Sequence, residues 1–270
     1  MIGLGIGLKF GGAVTLDPAT TAFITAARIT DPTQINAINR LVLNYKGQGN
    51  LNTSVDLWTN SLAIYPMVGG TATTHMYNLK NPVDSNAAFR LSFSGGWTHN
   101  SNGITGNGTN TFANTFLNPN TGLSSGSGRI GVYSRTNLNE VRYDMGCAAG
   151  GSELITITRG ADLFYSNYGS NASYGTSANT DSRGFFITNR LGGTNTTGYK
   201  NGSLVITHAE TESRPNFSIY IGALNNGGVA ASFAAKNYAF SVIGQGLSDA
   251  NSLLEYQIIQ QFQQDLNRQV

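Results

Sequence analysis

Side chains able to do chemistry are few in this sequence and widely spaced. The best carboxylate pair is Glu140 and Asp144 in Glu-Val-Arg-Tyr-Asp, a spacing that puts both acids on one face of an extended strand. Two such acids could divide the roles of general acid and general base. Arg142 stands between them and Arg135 just upstream, so a solvated edge with paired charges is the simpler expectation. Glu210 and Glu212 precede Arg214-Pro215 in a polar stretch that reads as a turn. His75, His99 and His208 lie far apart, and none has a Cys, His or acid at metal-ligand spacing. The single Cys147 excludes an intramolecular disulfide and, at the end of a strand pattern, reads as a buried structural thiol. No Gly-x-Ser-x-Gly elbow, phosphate loop or dinucleotide fingerprint occurs. The expectation is a protein without catalytic residues, metal ligands or a cofactor.

What remains is surface recognition. The run from Tyr165 to Gly175 mixes Tyr165, Tyr168 and Tyr174 with Ser, Gly and Asn171. That mixture also serves antibody paratopes, because Tyr offers contact area at low entropic cost. Trp97 and His99, beside Asn100, form a second candidate, an aromatic next to amide groups that suits stacking on a sugar ring. Against both stands the ordinary role of Tyr and Trp, half-buried with a hydrogen-bonded tip.

Composition bounds the class. Only 11% of the 270 residues are charged, so Asn, Thr, Ser and Gly must supply the polar surface. With 34 Gly and 6 Pro, the chain suits many short strands joined by tight turns. A net charge of +2, scattered without runs, gives no footprint for nucleic acid. No stretch approaches the roughly 20 apolar residues of a membrane span, and the first residues lack the basic start of a signal peptide.

In chain order, Ile2, Leu4, Ile6, Leu8 and Phe10 alternate with glycines in an arm that needs a partner surface, either its own sandwich or another subunit. Asp17-Pro18 and Asp31-Pro32 are helix starts, the second with Gln34 placed for a capping box. Leu51 to Asn60 reads as a further helical turn. From Ser61 the period becomes that of strands, with loops expected over Thr98–Asn110 and Ser166–Ser182. Asn201-Gly202 suits a type I′ hairpin turn. Tyr238, Phe240 and Val242 share one face of a last strand. After Ser248 as N-cap, Leu254, Ile258, Phe262 and Leu266, widened by Leu253 and Ile259, make an amphipathic closing helix.

That ending carries a resemblance. Gly246-Leu-Ser-Asp followed by Leu253-Leu-Glu-Tyr-x-x-Ile-x-x-Phe-Gln-Gln-x-Leu-Asn-Arg-Gln-Val resembles the tail of concanavalin A-like (laminin-G-like) jelly-roll proteins encoded by bacteriophages. Ile64–Ala72, Asn78–Pro82, Phe89–His99 and Asp181–Phe186 are similar to the same group in the same order. The resemblance implies an all-β jelly-roll sandwich over residues 51–270, preceded by an arm and helical segment over 1–50. It also implies a non-catalytic structural protein of a virion, in head or tail, with other virion proteins and copies of itself as partners and a host-surface glycan as a further one. A carbohydrate-binding module is the alternative. A glycan-cleaving enzyme is disfavoured, because sandwich glycosidases line up three acids as Glu-x-Asp-x-x-Glu and Glu140 and Asp144 have no third. Calcium occurs in some laminin-G-like domains, and the resemblance leaves a bound Ca2+ open here, with no Asp-x-Asp loop onto which its ligands can be mapped.

Overall fold

A computed structural model describes residues 15–170 and 172–270; the arm residues Ile2, Leu4, Ile6, Leu8 and Phe10, and Asn171, lie outside them. Two helices come first, α1 (Pro18–Ala27) and α2 (Pro32–Tyr45), each opened by the expected Asp-Pro pair. Asp31 accepts from the Gln34 amide at 2.8 Å, yet the Gln34 side chain accepts from Gly69 N–H instead of closing a capping box. Tertiary contact has taken the side chain that local pattern assigned to the cap. Residues 51–60 are turns rather than helix.

The strands follow as β1 (Ser61–Tyr65), β2 (Ser92–Ser94), β3 (Thr98–Asn100), β4 (Gly103–Thr105), β5 (Phe112–Asn114), β6 (Ser127–Ser134), β7 (Met145–Ala149), β8 (Ser152–Gly160) and β9 (Leu163–Ser170). The remainder are β10 (Gly175–Ala178), β11 (Gly184–Leu191), β12 (Asn195–Lys200), β13 (Ser203–Ala209), β14 (Tyr220–Ile221), β15 (Leu224–Asn226), β16 (Val229–Ala231) and β17 (Asn237–Gly244). Short helices α3 (Ala72–His75) and α4 (Pro119–Gly122) interrupt the connections, and α5 (Asp249–Asp265) closes the chain. Both expected loop regions therefore contain strands. Asn, Ser and Gly side chains there conceal backbone pairing, β3 with β4 and β9 with β10.

One sheet runs β13-β12-β11-β6-β17-β4-β3, with β1 also on β17; the other runs β10-β9-β8-β7-β14-β5-β2, with β15 and β16 beside β7. Nearly all pairs are antiparallel, β15 on β7 excepted. The Asn201-Gly202 turn has φ of 50° and 76°, the left-handed values a type I′ turn demands. This is the all-β jelly-roll sandwich that the strand pattern called for, with N-terminal helices and a closing helix.

Its apolar interior has two large parts. Between the sheets lie Ile130, Val132, Leu154, Phe164, Phe186 and Tyr238 among others. The opposite face of the first sheet offers Tyr133, Phe185, Ile187, Phe240 and Val242 to α1, α2 and α5, which supply Phe23, Ile38, Leu41, Ile258 and Phe262. Strand β17 is thus buried on both faces. Tyr238 does not share a side with Phe240 and Val242, because a bulge between Tyr238 and Phe240 shifts the register against β6. On α5, Leu253 is 43% exposed and does not widen the buried stripe.

Charge locks the helix layer down. Arg129 of β6 is fully buried and makes a bidentate pair with Glu255 of α5, Nη2 to Oε1 at 2.7 Å and Nε to Oε2 at 3.0 Å. Tyr45 of α2 donates to the same carboxylate, and Arg129 also donates to Ser61 and to the Gln245 carbonyl. Removing one partner of such a pair leaves a buried charge without compensation, typically worth about 3–5 kcal/mol. Glu255→Ala is expected to lower unfolding free energy by about that amount in urea titration. A loss below roughly 1 kcal/mol would show that the pair does not hold the layer.

Candidate functional site

Strand β8 alternates Leu154, facing the core between the sheets, with Ile155 and Ile157, which face the other way. On that outer face of the second sheet, Ala148, Ile155, Ile157 and Leu224 form a small apolar floor with Tyr143 and Tyr165 packed on it. Glu153 and Asn167 belong to the same face, since Glu153 is opposite Gly169 and Ile155 opposite Asn167 in the β8–β9 ladder. Tyr174, 40% exposed, stands edge-on to Tyr165 with ring centroids 6.3 Å apart.

The polar groups converge. Glu153 is 3% exposed, and burial raises its carboxyl above the usual range while hydrogen bonds from Asn167, Tyr174 and Tyr143 oppose the rise. Asn167 Nδ2 donates to the Ser170 carbonyl at 2.8 Å and reaches Glu153 Oε2 at 3.4 Å. Its Oδ1 is buried with no partner among the described residues. Two tyrosines, Tyr143 and Tyr174, thus hydrogen-bond one buried carboxyl, with Tyr165 beside Tyr174, on a face where no helix among the described residues packs.

The sequence candidates are distributed differently from expectation. Tyr165 and Tyr174 lie on this face. Tyr168 does not: it is fully buried in the core between the sheets, because β9 turns alternate side chains inward, so it cannot meet a ligand. Tyr143, Glu153 and Asn167 were not singled out by sequence, and only the strand alternation of β8 and β9 could have grouped them. Trp97 is a wedge. Its ring lies against Gly222, at φ 78°, where a Cβ would fall 2.6 Å from it, and it packs edge-on to Phe93 and Tyr238.

His99 meets His75, which sequence separation gave no reason to expect. Their Nδ1 atoms are 3.0 Å apart, and Gly70 N–H donates to His75 Nε2. Neutral His75 must then carry its proton on Nδ1 and donate it to His99, whose own proton sits on Nε2. Burial, helped by His99 and Arg268, pushes His75 down to about 3, and burial lowers His99 as well. The pair is apart from the tyrosine face, and among the described residues no three His, Cys, Asp or Glu side chains come together as a metal site.

Nor are Glu140 and Asp144 a solvated edge on a strand. Both precede β7, and Asp144 is fully buried, accepting from Tyr238 hydroxyl at 2.8 Å and Thr158 N–H at 2.7 Å, with Lys236 Nζ 3.2 Å away. Glu140 accepts from Ala235 N–H at 3.0 Å. Packing has drawn Asp144 into an internal polar cluster with Lys236 and Tyr238, while Glu140 stays at its half-buried rim. Cys147 is fully buried, and burial raises its thiol.

Comparison with known proteins bears on the fold. No protein-family model matches the chain, and no curated protein does. Among solved structures, a mutant of Trypanosoma rangeli sialidase displaying trans-sialidase activity superposes with TM-score 0.54 at 11% identity, over 86% of this chain and 39% of that one. The binding domain of Botulinum neurotoxin serotype D gives TM-score 0.50 at 9% identity, over 74% of this chain and 51% of that one. The chain therefore spans about 39% and 51% of the chains it resembles. At such identities the likeness is one of fold alone, a β-sandwich.

The histidine pair predicts a pH dependence. With the folded pKa below the unfolded one, stability is fully present above pH 6.5 and declines as pH falls toward 3, by up to about 1.4 kcal/mol per unit. His75→Gln should flatten that decline in urea titrations between pH 7 and 4. An unchanged slope would show that the pair titrates freely.

Proposed function

We propose that this domain is a non-catalytic glycan-binding module whose binding surface is the face of β7, β8 and β9 around Tyr143, Tyr165 and Tyr174. The observation that carries the reading is the aromatic group on the outer side of the second sheet, where Tyr143 and Tyr174 hydrogen-bond Glu153 and Tyr165 stands edge-on to Tyr174. Sugars present apolar C–H faces that stack on aromatic rings, and Tyr174, 40% exposed beside Tyr165, offers such a ring at the surface. Supporting it, the fold is shared with a sialidase and with a neurotoxin binding domain. The absence of catalysis is supported by Asp144, whose carboxylate is buried and engaged by Tyr238, Thr158 and Lys236, which leaves Glu140 without a second acid facing solvent.

A glycan array followed by calorimetry tests this. Tyr165→Ala and Tyr174→Ala are each expected to weaken binding by at least about tenfold, with the circular dichroism spectrum unchanged. Absence of binding to any glycan, or binding indifferent to both substitutions, would sink the reading.

For its setting we propose a bacteriophage particle, with the domain displayed for host-surface contact. This rests on the segments Ile64–Ala72, Phe89–His99 and Leu253–Val270, which resemble that group, and on the apolar arm of Ile2, Leu4, Ile6, Leu8 and Phe10. Mass spectrometry of purified particles should detect the protein at many copies. Its absence from them would rule the setting out.

A further inference from the structure

The buried carboxylates of this chain are not all treated alike. Glu255 is met by Arg129 at 2.7 Å, Asp144 by Lys236 at 3.2 Å, and Glu210 by His208 at 3.5 Å. Glu153, 3% exposed, has no such partner among the described residues. Its neighbours are Tyr143, Tyr174 and Asn167, all neutral and all donating to it. Donors alone around a carboxyl favour its ionised form, and an ionised group out of water calls for a compensating charge. Here that charge is missing.

A second carboxylate stands close by. Glu153 lies opposite Gly169 in the β8–β9 ladder, and the side chain of Glu210 packs where Gly169 would carry a Cβ. Glu210 Oε1 accepts from the Ser170 hydroxyl at 2.7 Å and from Thr211 N–H at 3.0 Å. Its Oε2 is buried with no hydrogen-bond partner among the described residues. No Lys or Arg there pairs with either carboxylate. Toward solvent stands Tyr174, 40% exposed and edge-on to Tyr165. The corner therefore combines negative charge with an accessible aromatic face.

Resting on the glycan reading above, we infer that the ligand of this face is an amino sugar with a free, protonated amine, its ammonium held at Glu153 beside Tyr174. An ammonium carries the missing charge and three N–H donors for carboxylate oxygens. Within about 6 Å of a Tyr centroid it is also attracted by the ring quadrupole. Tyr174 is the most exposed of the donors to Glu153, so it is the one whose place the ammonium takes. An N-acetylated sugar brings no charge to this point. An acidic sugar would add a like charge beside Glu153 and Glu210, so the corner selects against it.

Calorimetry on the full chain tests the inference. A β-1,4-linked glucosamine tetrasaccharide is compared with its fully N-acetylated counterpart at about pH 7, where most of such an amine is protonated. The free-amine form is expected to bind at least about tenfold more tightly. Glu153→Gln should abolish that preference, leave binding of the acetylated form unchanged and keep the parent circular dichroism spectrum. Equal binding of the two forms by the unmodified chain overturns the inference whether or not the variant folds. A preference that survives in folded Glu153→Gln overturns it too. If neutral glycans bind through Tyr165 and Tyr174 with no preference for the amine, the glycan reading stands and the amino-sugar inference falls. Binding of n-butylammonium as tight as that of the glucosamine tetrasaccharide would remove the sugar and overturn both.

Discussion

The register of the helix layer on the sandwich is set by the buried pair of Arg129 and Glu255. Arg129 projects from the middle of the first sheet, and Glu255 from the closing helix, both completely buried. Their charges cannot be left apart in a low-dielectric interior, so α5 must lie where the bidentate contact forms. Tyr45 adds α2 to the same carboxylate, while the remaining guanidinium donors fix the start of β1 and the turn after β17. One ion pair thereby sets the positions of two helices and two strand ends.

A second arginine completes the closure by other means. Arg268, beyond the end of α5, has no carboxylate; it donates to the carbonyls of Pro66, Met67 and Ala239 and to the Gln263 side chain. Burial, with Arg135 nearby, lowers it to about 9. With the Ser101 carbonyl, which also accepts from it, backbone carbonyls from three parts of the chain thus satisfy a desolvated cation, which pins the C-terminal residues over β17.

This arrangement has a consequence for recognition. The helix layer occupies the outer face of the first sheet, so among the described residues it is the second sheet whose outer face carries no helix. The same strands that place Leu154 and Tyr168 inside place Glu153, Tyr165 and Asn167 outside, because side chains alternate. Core and candidate site are two sides of one ladder.

Much of the fold was legible in local pattern. The Asp17 and Asp31 caps, the Ser248 cap and the Asn201-Gly202 turn are decided within a few residues, where backbone sterics and short hydrogen bonds act. What the sequence did not disclose were relations across distance. The bulge that sends Tyr238 and Phe240 to different cores, the meeting of His75 and His99, the enclosure of Asp144 by Lys236 and Tyr238, and the grouping of Tyr143 with Tyr174 all depend on which strands pair and how the sheets pack. Local propensity is a property of neighbouring residues and can be read from them. Burial, and with it the charge state and partners of a side chain, is a property of the whole packed chain, so only the tertiary structure could assign it.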